Sequence, residues 1–483
     1  MSGRHPRMAS LRSAAALRQR LAALGVELPC DGAPAGTDGT PLAAPLELGD
    51  GPRGPLRAPN RFVIQPMEGW DASPEGEPSE LTERRWRRFG QSGAGWIWGG
   101  EAVAVRHDGR ANPRQLVLVR DTAPALARLR EGLLEAAREA GHPAPVVGLQ
   151  LTHSGRWSMP EPGARRPRVA YRHPLLDRRV GVDADEAVLS DAEVDALVED
   201  FARAAALAAE AGFDFVDVKH CHGYLLHEFL SARSRAGRFG GESLEARSRL
   251  ALAVVDAVCA AAPRLRVGVR LSLFDAVPHR TDPSRGMGTP EPHPRPYPFG
   301  FGTDADAPDR ADLREPIALV RALLARGVGW INVTAASPYY APHVQRPALF
   351  PPSDGYAPPE DPLLGVGRLL AAARDLKAAV PEAVVVSSGW SYLQDWIPPV
   401  AQACLREGWF DAVGLGRMAL SYPGLPADAL AGRRLDRGRI CRTFSDCTTA
   451  PRQGLVSGCY PLDPFYRERP ERAEVEAAKR RLR

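Results

Sequence analysis

A chain of 483 residues with 44% hydrophobic and 25% charged side chains has an ordinary globular make-up, which excludes global disorder and collagen-like repeats. Lys and Arg number 62 against 58 Asp and Glu, and a formal charge of +4 across so many ionic groups is too balanced to mark a nucleic-acid binder. Apolar runs fall short of the roughly 18 residues of a membrane span, arginines stud the N-terminus where a signal peptide would be apolar, and 7 scattered cysteines argue for reduced thiols, so the expectation is a cytoplasmic protein without a membrane partner.

Residues 1–55 hold an amphipathic pattern over about 8–24, followed by a Gly/Pro/Ala stretch without period, and are expected to form an N-terminal helix and linker extension. The pattern then changes to short apolar runs separated by helical segments. Strands are expected at 61–65, 95–99, 146–151, 213–219, 265–271, 329–333, 383–387 and 412–415. Helices are expected between most of them, including 122–140 and 191–211, the second opened by Ser190 with Glu193 three residues on, the capping-box spacing. This alternation predicts an α/β protein with a (β/α)8 TIM barrel over 56–437 and a short Cys-containing segment over 438–483. An open doubly wound sheet fits less well, because no G-x-G-x-x-G follows the first strand. Two Pro-rich irregular stretches, 276–314 and 337–362, follow strands five and six, where barrel enzymes carry functional loops.

Polar residues at the C-terminal strand ends share one mouth in a barrel. Strand one delivers Pro66, Met67 and Glu68, strand two leads to Ala102, and strand three gives Gln150. Strand four ends in Lys219, His222 and Tyr224, and strand five carries Arg270. Strands seven and eight supply Gly389, Gly416 and Arg417, with open glycine amides and a guanidinium fork that suit a phosphate.

The motifs NRFVIQPM at 60–67, GLQLTHSGR at 148–156, HGYLLHEFLS at 222–231, RFGGESLEARSRL at 238–250 and GLGR at 414–417 stand in barrel order. Over residues 60–464 the chain resembles the Old Yellow Enzyme family of FMN-dependent ene-reductases, within the wider NADH:flavin oxidoreductase and 2,4-dienoyl-CoA reductase group. The resemblance implies non-covalent FMN, with Pro66, Met67, Glu68 and Ala102 against the ring, Gln150 on its pyrimidine edge, Arg270 near its N1 and O2 side, and Gly389, Gly416 and Arg417 at the phosphate. It further implies that NAD(P)H reduces the flavin, that Lys219 and His222 hold the electron-withdrawing group of a small-molecule substrate, and that Tyr224 protonates the α-carbon after hydride reaches the β-carbon of an activated alkene.

The chain departs from the family pattern at three places. Lys219 stands where the family places His, and it is one of only 3 lysines among abundant arginines. Glu68 stands where the family places Thr, Cys or Ala, and a carboxylate there disfavours electron addition to the ring unless it is protonated or paired. Pairing of Glu68 with Lys219 across the mouth is therefore expected, together with a substrate that is anionic or strongly electron-withdrawing. Third, Cys441, Cys447 and Cys459 lack the upstream C-x-x-C of the iron–sulfur branch, so no metal is expected. Amine dehydrogenation or demethylation on the same scaffold, a flavin-binding barrel without turnover, and self-association all stay open at this point.

Overall fold

The computed structural model describes residues 5–32 and 39–481. Residues 1–4 and 33–38 of the expected N-terminal extension lie outside the described residues, as do 482–483 of the C-terminal segment. The barrel strands are β1 Phe62–Ile64, β2 Trp96–Ile97, β3 Val146–Thr152, β4 Phe215–His220, β5 Arg266–Ser272, β6 Trp330–Thr334, β7 Val384–Ser387 and β8 Ala412–Leu415. All eight fall at expected positions, because strands buried on both faces read as short apolar runs. They run parallel, each beside its sequence neighbour, and pairing of β8 with β1 and of β2 with β3 closes the ring. A short extra strand, Ala102–Ala104, joins β3 with Ala102 opposite Gln150.

Helices cover the outside, and their ends follow sequence chemistry. Asp191–Glu210 starts with the reciprocal Ser190/Glu193 capping box, and it packs Val194, Leu197 and Phe201 inward. The expected N-terminal helix is shorter than its pattern, Ala14–Ala23 behind a Ser13 cap, because the chain before it makes only the 3-10 turn Met8–Ser10.

One expectation needs correction. Part of the stretch read as linker is a β-hairpin, Leu46–Gly51 paired antiparallel with Gly54–Ala58. Leu46, Leu48 and Leu56 pack with Trp96, Trp98, Phe215 and Trp330 across the N-terminal end of the barrel, and the Trp96 and Trp330 rings lie 5.0 Å apart. The hairpin plugs the base. At the opposite end, the C-terminal segment folds into helices Asp446–Arg452, Pro464–Arg467 and Glu471–Arg480 around Ala450, Tyr460, Tyr466 and Val475, and it leans over the mouth. No helix among the described residues is long and apolar enough to cross a membrane.

Candidate active site

Period-two alternation on β4 turns Asp217 and Lys219 into the barrel, and register places Lys219 beside Arg270 and Gln150 beside Asp217. Beneath the mouth, Gln65 and Asn332 exchange two amide hydrogen bonds of 3.0 and 2.7 Å across the barrel axis. After β4 the chain turns sharply: His222 and Gly223 have φ of 66° and 73°, and a Cβ on Gly223 would stand 2.8 Å from the Tyr340 ring. Glycine is thus required there for space as well as for φ. Ser272 Oγ accepts from the His222 amide at 3.1 Å and Gly223 O accepts from Trp157 Nε1 at 3.0 Å, so the turn is pinned and Tyr224 leaves it as the N-cap of helix Leu225–Phe229.

Every site residue expected from the sequence borders one cavity of about 280 Å³ at the C-terminal strand ends. Tyr224 is buried in its wall. Its hydroxyl donates to Glu68 Oε2 at 2.5 Å and lies 3.0 Å from the Tyr339 hydroxyl, while Lys219 Nζ sits 3.8 Å from its ring centroid. The expected Glu68–Lys219 ion pair does not form. Tyr224 stands between the two, taking the carboxyl on its hydroxyl and the ammonium on its ring face, where the aromatic quadrupole attracts a cation. Burial lowers the proton affinity of Lys219, although Cys221 and Glu68 oppose that shift. His222 faces the cavity with Nε2 3.1 Å from Gln345 Nε2 and 3.3 Å from Thr334 Oγ1, and burial, then Arg270 and Lys219, hold it well below the usual imidazole range. It is a neutral imidazole, able to accept from one neighbour or donate to another.

Gln150 Nε2 donates to Asp217 Oδ2 at 2.5 Å, which fixes the direction of the amide. Burial pushes Asp217 up to about 6. The Arg270 guanidinium reaches Pro66 O at 3.3 Å and leaves its buried Nε without a partner. Arg417 donates from Nη2 to Pro347 O at 2.9 Å while its buried Nη1 has no partner. Beside it, Arg346 bonds Thr448 Oγ1 at 2.6 Å and leaves Nε bare. Burial, then repulsion from Arg417 and Arg452, lowers the proton affinity of Arg346. None of Arg270, Arg346 and Arg417 has a carboxylate in ion-pair range among the described residues. Nothing stands within 4 Å of where a Cβ on Gly416 would be, and Gly389 takes φ of 96° at the opening of the turn after β7.

Sequence reasoning missed Asp217, Asn112, Tyr339, Gln345 and Arg346. Alternation along β4 could have found Asp217, two residues before Lys219. Tyr339, Gln345 and Arg346 lie in the Pro-rich stretch after β6, whose position was informative but whose individual residues carried no periodicity. Tyr339 stacks on Trp157 with centroids 4.4 Å apart and an 8° angle, which roofs the phenol pair.

A closed parallel barrel that gathers a buried phenol, a neutral imidazole and unpaired cations at its C-terminal strand ends is a (β/α)8 enzyme. The model of the NADH:flavin oxidoreductase / NADH oxidase family matches residues 42–285, about half of the chain, and the chain belongs to that family of FMN-dependent oxidoreductases. It is 40% identical over 136 residues to 12-oxophytodienoate reductase 1 of Oryza sativa subsp. japonica, a match covering 26% of this chain and 34% of the relative. A match to the NADPH dehydrogenase of Bacillus subtilis (strain 168) is 30% identical over 204 residues and covers 41% of this chain and 55% of that one. The chain therefore spans about a third to a half of the length of these curated relatives. Morphinone reductase in complex with tetrahydroNAD has the same fold, with a TM-score of 0.56 and 24% identity over 82% of this chain and 92% of the other.

Proposed function

We propose that this protein is an ene-reductase: electrons from NAD(P)H pass through FMN to an activated C=C bond, with Tyr224 as proton donor. The observation that carries this reading is the position of Tyr224, whose hydroxyl is held between Glu68 and Tyr339 in the same cavity as Arg270, Arg346 and Arg417, each of which keeps one buried side-chain nitrogen without a partner. The residues present suit FMN. Arg417 and Arg346 offer bare N–H groups to a phosphate beside the unobstructed Gly416, Arg270 offers charge to an electron-rich ring edge, and Gln150 offers an amide. Pro66, Met67 and Ala102 supply flat wall on the cavity side for the ring. FMN, when bound, supplies the chemistry of accepting and donating a hydride.

The chain's own residues do the rest. Lys219 and neutral His222 flank the phenol and polarise a carbonyl or hold a carboxylate, which draws electron density from the conjugated bond. Tyr224 delivers a proton to the carbon that becomes electron-rich. The Tyr339–Trp157 stack holds the second phenol in place beside Tyr224. Tyr224→Phe is expected to slow oxidation of the reduced protein by an enone by about 10² to 10⁴-fold while leaving reduction by NAD(P)H nearly intact. Equal loss in both half-reactions would refute the donor role.

A further inference from the structure

The departure at Glu68 has a specific setting. We propose that Glu68 stands protonated behind Tyr224 and restores its proton after each transfer to substrate, so that phenol and carboxyl form a two-group relay; this rests on the ene-reductase reading above.

The relay is visible in the contacts. Glu68 Oε2 meets the Tyr224 hydroxyl at 2.5 Å, and Oε1 accepts from Asn112 Nδ2 at 3.3 Å. Lys219, a cation within electrostatic reach, spends its ammonium on the Tyr224 ring instead of on the carboxyl. The other groups facing Glu68 are Tyr224 from the end of β4 and Tyr339 from the loop after β6, both neutral phenols. Below Gly69, Arg85 is occupied with Asp71 at 2.6 Å and Glu101 at 2.5 Å, and Glu101 accepts from the Gly69 amide at 3.1 Å. Glu68 therefore borders the cavity, partly buried, without a salt bridge among the described residues. Burial raises its proton affinity by more than Lys219, Tyr224 and Asn112 lower it.

A neutral acid is also the state that makes Tyr224 useful. At rest the phenol donates to Glu68 Oε2; once that proton has gone to substrate, a neutral carboxyl can turn its own O–H onto the phenolate oxygen and stabilise it, whereas a carboxylate would repel it. The protons balance in three moves. Tyr224 O–H breaks as the substrate carbon, holding the electron pair left after hydride addition to its neighbour, gains a C–H bond. Glu68 O–H then breaks as Tyr224 O–H re-forms. Water finally returns a proton to the Glu68 carboxylate once product has left. No oxidant is needed, and the hydride comes from the reaction already proposed.

Two measurements on the FMN-loaded protein decide the matter. Infrared spectra near neutral pH should show the C=O stretch of a protonated carboxyl that disappears in Glu68→Gln and shifts in Tyr224→Phe. Rapid-mixing oxidation of the reduced protein by cyclohexenone should slow as pH rises through the raised titration of Glu68, because the protonated form is the working one. In Glu68→Gln that break should vanish and the rate should fall at least about tenfold. Absence of the carboxyl band in the wild type, or a pH profile unchanged in Glu68→Gln, overturns the proposal. Should Glu68→Gln fail to fold, the band shift in Tyr224→Phe decides. Should cyclohexenone fail to oxidise the reduced protein, the ene-reductase reading falls while the infrared band still reports whether Glu68 is protonated.

Discussion

Removing either of two neighbouring arginines should separate cofactor affinity from fold stability. Arg417 and Arg346 lie together in the cavity wall, each with one side-chain bond to protein and one buried bare N–H. A charge-assisted contact is worth about 1.5 to 3 kcal/mol, so Arg417→Ala or Arg346→Ala should weaken FMN binding roughly ten- to hundredfold. The apoprotein should respond differently. Arg346 keeps its proton at neutral pH, and with Arg417 and Arg452 close by and no carboxylate paired to it, its charge costs the empty fold stability. Losing it should therefore cost the FMN-free protein much less than it costs binding. Under the proposed assignment, in which both arginines address one phosphate, the double variant should lose less affinity than the sum of the singles. Titration of stripped protein with FMN, followed by flavin fluorescence, gives the dissociation constants, and denaturant melts with and without FMN give the linked stability. Wild-type FMN affinity in both single variants would refute the phosphate assignment.

Three further outcomes are expected. Lys219→Met, which removes the cation from the Tyr224 ring, should raise KM for an enone carrying a carboxylate more than for a neutral one; equal effects on both would remove the anion-holding role. Leu48→Ala in the basal hairpin should destabilise the fold by about 2 to 4 kcal/mol in denaturant melts with FMN affinity unchanged, since Leu48 is 2% exposed and remote from the cavity. Metal analysis of anaerobically prepared protein should find iron at background level, and stoichiometric iron would mean that Cys441, Cys447 and Cys459 find a fourth ligand.

The barrel strands were legible because two-sided burial demands uninterrupted apolar runs, and the strand ends were legible because the barrel sends them all to one mouth. The hairpin was not, since its apolar signal rests on a few leucines diluted by Gly, Pro and charged residues, and its partners arrive from distant strands. The Glu68–Lys219 pairing failed for a related reason. Both residues were placed correctly around the cavity, but which neighbour each takes depends on where the Tyr224 ring falls, and that is set by the left-handed turn at His222 and Gly223. Arg346 was hidden among many arginines in a loop without period, and what sets it apart is its place beside Arg417 in the cavity wall.

The hairpin at the base bears on traffic. With Leu46, Leu48 and Leu56 driven against the tryptophans of the barrel floor, the N-terminal end is closed among the described residues, and the cavity lies at the opposite end, lined in part by the C-terminal segment. In the ene-reductase cycle proposed above, a nicotinamide and an alkene both need this chamber and must queue for it. The first product has to leave before the second reactant enters, and either reactant in excess obstructs the other. Mutual inhibition at high concentration is then the kinetic signature expected of that cycle.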